Sequence, residues 1–298
     1  MPMDSEPIPY IERTREYYRA LGYGAPYRWA RFDDVPFQPL AKPLAECAVA
    51  LVTTAAPYQP GKGNQGPGAP YNAAAKFYRV YSAPTDEMPD LRISHVAIDR
   101  DHTTAGDIAT YFPLAALKDA TADGRIGAVA PRFHGLPTNR SQRTTIDTDC
   151  PELVARVQED GADAAVLVAN CPVCHQCVAL AARALETAGI PSVVMGCAKD
   201  IVEQAGVARF LFSDFPLGNA AGRPNDPASQ HRTLDMALEL LETAASPRTT
   251  RQSPLKWPGT PDWKRSYCNV ALLSSGEIAR RRADFDAAKV TARSTRND

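Results

Sequence analysis

Neither sign of charge dominates this chain: 33 Lys and Arg stand against 34 Asp and Glu, for a formal net charge of −1. No electrostatic footprint therefore draws it to nucleic acid or to an anionic membrane surface. Long apolar runs are missing too. Stretches such as 164–169 and 270–273 fall far short of the roughly 20 residues that cross a bilayer. The opening MPMDSEPIPY carries acid and proline where a secretory signal carries basic residues and then an apolar stretch. The seven cysteines, an odd number, are therefore expected as reduced thiols in a cytoplasmic protein. At 298 residues the chain has length for one large α/β domain or two modest ones.

What cysteine there is, is unevenly spread. Residues 164–177 read AAVLVANCPVCHQC, an apolar strand-like run that ends in Asn170 and then presents Cys171, Cys174 and Cys177. Proline is favoured at the first position of a helix, where its missing N–H would have had no partner. Pro172 therefore predicts a helix beginning there, with Cys171 at its N-cap. At about 100° per residue, cysteines three apart stand within roughly 60° of each other on neighbouring turns. The positive end of the helix dipole favours thiolate over thiol at the cap, which suits Cys171 as a nucleophile.

Four readings compete for these cysteines. Buried cysteines can be small apolar core residues, but three at this spacing beside Pro172, His175 and Gln176 argue against that. A zinc or Fe–S site through Cys171, Cys174 and Cys177 lacks a second ligand pair, so Cys197, His175 or a distant histidine would have to close the shell. A glutaredoxin-like dithiol would use CPVC and leave the third cysteine idle. The favoured reading is a thiol-dependent reductive enzyme in which Cys171 attacks and Cys174 or Cys177 resolves. Oxidation without substrate should then join Cys171 to Cys174, because an i, i+3 pair at a helix start has the Cα separation of about 5.5 Å that a disulfide needs.

The rest of the chain supports an α/β architecture. Strand candidates lie at 48–53, 93–98, 127–130, 164–169, 192–196 and 210–212, and helical patterns at 10–21, 151–160, 175–188, 199–205 and 229–245. Strands alternating with helices predict a doubly wound, mainly parallel sheet of Rossmann or flavodoxin type. The expected division is an N-terminal helical arm (1–45), an α/β catalytic domain (46–246) and an irregular C-terminal tail (247–298) that packs on the domain or on a partner. The Gly-, Pro- and Asn-rich loop 55–75 matches no phosphate loop and could lie as a lid over the strand ends.

Ligands of such sheets bind at the carboxyl ends of the strands. Polar clusters follow several candidate strands: Asp99, Asp101, His102 and Asp107; Arg132 and His134; and Cys197 with Lys199 and Asp200. Convergence at one rim would make Cys197, His134, Arg132, Asp107 and His102 supporting or substrate-binding residues. Arg132 and His134 are foremost among them.

CxxCxxC after a strand, Gly189-Ile190-Pro191, the strand ending at Cys197 and Pro216-Leu217-Gly218-Asn219 together resemble the selenoprotein B family of glycine, sarcosine, betaine and D-proline reductases. The likeness continues in HVAIDRDHTTAGDIATYFPLAAL (95–117) and GAVAPRFHG (127–135), and covers about residues 45–220. It implies reductive cleavage of a carbon–nitrogen bond, with electrons from thiols. It also implies a carbonyl supplied by a pyruvoyl group on a separate partner subunit. Cys171 would stand at the family's selenocysteine position, with Cys174 and Cys177 as accompanying thiols. Sulfur in place of selenium points to a small amino-acid-like substrate with a more activated bond, such as carbon–sulfur or carbon–halogen. A homo-oligomer or a partner subunit is expected. Two further readings stay open: a soft-metal protein binding zinc or an Fe–S group through the three cysteines with His175 or Cys197, and a cofactor-independent racemase. The racemase would need a second cysteine, and Val52-Thr53-Thr54 offers none.

Overall fold

Runs such as AAVLV at 164–168 and SVVMG at 192–196 have no polar face to leave in water, and a parallel sheet covered on both sides buries them completely. The computed structural model, which describes residues 6–93 and 95–297, contains that sheet. Its strands are β1 (Ala48–Thr53), β2 (Ala56–Pro57), β3 (Tyr81–Pro84), β4 (Leu91–Arg92), β5 (Ala128–Val129), β6 (Arg132–Gly135), β7 (Ala164–Val168), β8 (Ser192–Gly196), β9 (Arg209–Phe212) and β10 (Thr249–Gln252). The helices are α1 (Tyr10–Ala20), α2 (Leu114–Ala122), α3 (Gln142–Thr144), α4 (Cys150–Glu159), α5 (Pro172–Thr187), α6 (Lys199–Ala205), α7 (Pro227–Thr243), α8 (Trp263–Ser266) and α9 (Ser275–Asn297).

Eight strands form one sheet in the order β10-β9-β8-β7-β1-β6-β3, with β5 pairing beside β1. All its pairings are parallel except β3 on β6, and β2 and β4 make a separate antiparallel pair. Alternate side chains feed two cores. Val49, Leu51, Val166, Val193 and Leu211 pack with Leu117 of α2 and Leu234 and Leu238 of α7 on one face. Ala50, Val52, Leu167, Val194 and Phe210 pack with Leu153 of α4, Val178 and Leu185 of α5 and Val202 of α6 on the other. The order β6-β1-β7-β8-β9 is the 2-1-3-4-5 arrangement of doubly wound folds. Chain direction across the sheet reverses between β1 and β7, and the crevice at their carboxyl ends is the place such folds keep for ligands.

The N-terminal segment is tied to the sheet's helices by buried and part-buried polar contacts. Asp200 accepts from the backbone N–H of Ile11 at 2.8 Å, Gln176 from Ala30 at 2.7 Å, and Glu186 from Gln38 at 2.6 Å. Glu186 and Arg209, both fully buried, pair at 3.0 Å, and Arg209 also donates to the Gln38 carbonyl. Among the described residues, no helix is long and apolar enough to cross a membrane.

Three expectations are corrected. The strand expected at 93–98 is not formed by the described residues 93 and 95–98: the edge beside β6 is taken by β3, and residues 96–98 lie in a turn. The expected strand 127–130 shrinks to two residues, and Pro131, which lacks an N–H for the ladder, separates it from β6. Arg132 and His134 therefore lie inside a strand rather than past one. The C-terminal segment is not irregular: it adds β10 and ends in the 23-residue helix α9. A capping box starts α9: the Glu277 carboxylate accepts from the Ser274 N–H at 2.9 Å, and the Ser274 hydroxyl accepts from the Glu277 N–H at 3.3 Å.

Candidate active site

The β7 strand delivers Asn170 and Cys171 to the crevice beside β1. Cys171 is the N-cap of α5, in extended conformation (φ −117°, ψ 169°), with Pro172 in the first turn, and its Sγ accepts from the Cys174 N–H at 3.2 Å. The structure joins Cys171 and Cys174 in a disulfide, their Cα atoms 4.9 Å apart. Two of the seven expected free thiols are thus paired.

Cys177 is turned away. Six positions along the helix put it about 120° around from Cys171, and its thiol donates to the Asn139 carbonyl at 3.6 Å and lies 3.8 Å from the Thr145 hydroxyl. Burial pushes that thiol up to about 12. The CxxCxxC spacing therefore holds one pair and one separate, buried cysteine.

His175 locks the start of α5 to the neighbouring strand. Its Nε2 accepts from the backbone N–H groups of Cys197 and Ala198 at 2.8 and 3.0 Å, so Nδ1 carries the proton and donates to the Cys171 carbonyl at 2.8 Å. Burial lowers its pKa to about 4, which keeps the ring neutral. With both nitrogens engaged, His175 is not available to a metal. Gly196 makes room for the ring: a Cβ there would lie 2.6 Å from His175 Cδ2. Cys197 meets this network through its backbone, and burial raises its thiol pKa.

One residue that sequence reasoning missed completes the cluster. A ring nitrogen of His95 and the sulfurs of Cys171 and Cys174 all lie within 4.8 Å of one another. His95 is buried, and burial, reinforced by the Lys76 and Arg100 charges, lowers its pKa to about 3. Its backbone carbonyl accepts from Arg100 at 2.6 Å. The available signal was its place in the HVAIDRDHTT segment, but read as strand that segment gave no reason to prefer it.

Cys171 and His95 open onto a cavity of about 940 Å³. Its walls come from α1 (Tyr17, Tyr18), the following segment (Tyr27, Trp29), Pro70 and Tyr71 of loop 55–75, Arg140, Tyr267 and α9 (Arg281, Phe285). Arg140 lies over the Tyr18 and Phe285 rings at 5.3 and 5.2 Å. Below the rim, the Asn170 side-chain amide donates to the Thr54 hydroxyl at 3.0 Å, while its Oδ1 is buried without a partner among the described residues.

The other expected site residues are held elsewhere. Arg132 pairs with Asp160 and Glu159 at the end of α4 at 2.6 and 2.7 Å. His134, fully buried, contacts Asp160 at 3.2 Å and Ser82 at 2.8 Å. Asp107 accepts from Ala109, Asn225 and Gln230, joining a turn to α7. His102 pairs with Asp99 at 2.8 Å; Asp99 lines the cavity and His102 does not.

Sheet, helix-capping disulfide and cavity define an α/β protein with a paired CxxC at its topological switch point. The chain is homologous to subunits of amino-acid reductases. It is 29% identical over 205 residues to the D-proline reductase subunit gamma of Acetoanaerobium sticklandii, across 68% of this chain and 81% of that protein. It is 25% identical over 224 residues to the glycine reductase complex component B subunit gamma of Carboxydothermus hydrogenoformans, and 25% over 225 residues to the sarcosine reductase complex component B subunit beta of Peptoclostridium acidaminophilum. The matched region is 73% of this chain in both cases and about half the length of those two relatives (51% and 50%). No protein-family model matches the chain, and no solved structure does.

Proposed function

We propose that this chain is the thiol-bearing subunit of a reductase that cleaves a carbon–heteroatom bond in a small amino-acid-like substrate, with Cys171 as nucleophile and Cys174 as resolving thiol. The observation that carries this reading is the Cys171–Cys174 pair at the start of α5, with Cys171 facing the cavity and Cys174 fully buried behind it.

In the reduced protein the Cys171 thiolate attacks the carbon bearing the heteroatom, forming a sulfur–carbon bond and expelling the heteroatom, which takes up a proton. Cys174 then attacks the Cys171 sulfur. The carbon departs with the electron pair, stabilised by an adjacent carboxyl or carbonyl group, and is protonated. Two electrons have passed to the substrate and the disulfide has formed. An external dithiol returns the pair to its reduced state. The helix dipole assists the first step by favouring thiolate at the N-cap. The relatives' names describe subunits and components of complexes, and this chain is proposed to act with such a partner, which would supply any carbonyl that activates an amine.

Intact-mass measurement of reduced protein after exposure to candidate amino-acid derivatives tests the proposal. Cys174→Ser should accumulate an adduct mapping to Cys171, and Cys171→Ser should form none. An adduct on another cysteine, or persistence of the adduct in Cys171→Ser, overturns it.

A further inference from the structure

Reduction of the disulfide leaves two buried thiols facing a histidine that the reductive cycle does not use. The Nδ1 atom of His95 is buried with no hydrogen-bond partner among the described residues, and the residue is 9% exposed. An unpaired buried polar atom is costly unless something meets it. The only other groups of the cluster are the sulfurs of Cys171 and Cys174, with all three ligand atoms inside 4.8 Å. We propose that the reduced chain binds one Zn²⁺ through His95, Cys171 and Cys174, with the fourth position open to the cavity.

The donor set and its geometry both fit. Two thiolates and an imidazole suit zinc, and three protein ligands with one open position is the pattern of zinc sites that take water or substrate. Tetrahedral bonding with Zn–S near 2.3 Å and Zn–N near 2.0 Å sets ligand atoms about 3.5–3.8 Å apart. Opening the disulfide lets the two sulfurs separate towards that spacing, and the three ligand atoms already lie within 4.8 Å of one another. Two thiolates balance the ion's charge, and their protons leave to solvent on binding. Since Cys171 and His95 line the cavity while Cys174 lies behind them, the vacant position points into it. The site differs from a CxxCxxC set, because Cys177 bonds elsewhere. It also excludes His175, whose two nitrogens are engaged. Zinc would hold the pair reduced and out of turnover, so the site is an inhibitory or protective state of the same thiols. It stands whether or not the reductase reading does, since adduct formation on metal-free protein tests that reading separately.

The experiment is an anaerobic titration of the reduced, metal-free chain with Co²⁺, followed by displacement with Zn²⁺. One equivalent should develop a near-ultraviolet sulfur-to-cobalt charge-transfer band with the visible bands of a four-coordinate ion, and Zn²⁺ should erase both. His95→Gln should weaken binding at least about tenfold and shift the visible bands. Cys171→Ser and Cys174→Ser should each lose half the charge-transfer intensity or all binding, while Cys177→Ser should bind as the parent does. The oxidised parent protein, whose fold is not in question, should bind no metal at this site. Equal binding by oxidised and reduced protein, unchanged bands in His95→Gln, or loss of binding in a folded Cys177→Ser protein overturns the proposal.

Discussion

Replacing His175 with alanine should destabilise the protein in a way that fades as the pH falls. The ring accepts from two buried backbone N–H groups, those of Cys197 and Ala198, at 2.8 and 3.0 Å. Orphaning them costs about 1–3 kcal/mol each, and the vacated space adds a cavity penalty that does not depend on pH. The native protein holds the ring neutral, with its pKa lowered from 6.5 to about 4 by burial. A folded pKa below the unfolded one means that the unfolded chain binds the extra proton first. The stability His175 confers is therefore complete above about pH 6.5 and is withdrawn as the pH falls towards 4, at about 1.4 kcal/mol per pH unit. Every other titrating group is common to both proteins, so the difference between their stabilities isolates this residue. Urea denaturation of parent and His175→Ala between pH 7.5 and 5 should show a gap that narrows by about 2 kcal/mol. A gap that stays constant or widens on acidification would refute the neutral, doubly accepting ring.

What could be read from the sequence and what could not divides along the range of the forces involved. Cys171 and Pro172 announced a helix start because capping is settled within four residues, and the structure places cap and first turn where they were expected. The apolar runs at 48–53 and 192–196 could be recognised for a similar reason, since complete burial leaves no alternation to misread. His95 could not be found this way. Its segment carries the apolar residues Ile93, Val96, Ala97 and Ile98 that suggest a strand, but the sheet edge beside β6 is held by β3, and the meeting of His95 with the cysteines is settled by contacts distant in sequence. Spacing gave Cys177 an angle on the helix but not its surroundings, and Asn139 and Thr145 arrive from a segment more than thirty residues away. His134 and Arg132 were drawn into the expected site by the assumption that a strand ends where proline interrupts it; here the strand resumes after Pro131. The S-x-x-E pattern at Ser274–Glu277 is a capping-box signature in the sequence, and the expectation of an irregular tail at 247–298 passed over it.

Further outcomes follow from the same contacts. In reduced protein, iodoacetamide should label Cys171 well before Cys177, whose thiol is buried and raised to about 12; the reverse order would remove the case for Cys171 as nucleophile. Arg209→Met should cost about 3–5 kcal/mol in urea denaturation by stranding the buried Glu186 carboxylate, and a loss below about 1 kcal/mol would show that the pair is not sealed from water. Ser274→Ala should speed amide exchange across the first turns of α9, an effect worth about 0.5–2 kcal/mol locally, while exchange in β7 and β8 stays unchanged; slowed or unaltered exchange in α9 would argue against the capping box. Gly196→Ala bears on the same lock as His175, because the added Cβ would sit 2.6 Å from Cδ2 and 2.7 Å from Nε2 of that ring. Main chain on one side and a helix on the other leave the ring no cheap escape, so the substitution should break the bonds to Cys197 and Ala198 in the parent. In a His175→Ala background the ring is gone and most of the penalty should vanish. A double-mutant cycle should therefore return a coupling of about 1–3 kcal/mol; simple additivity would mean that something other than His175 occupies the space above Gly196.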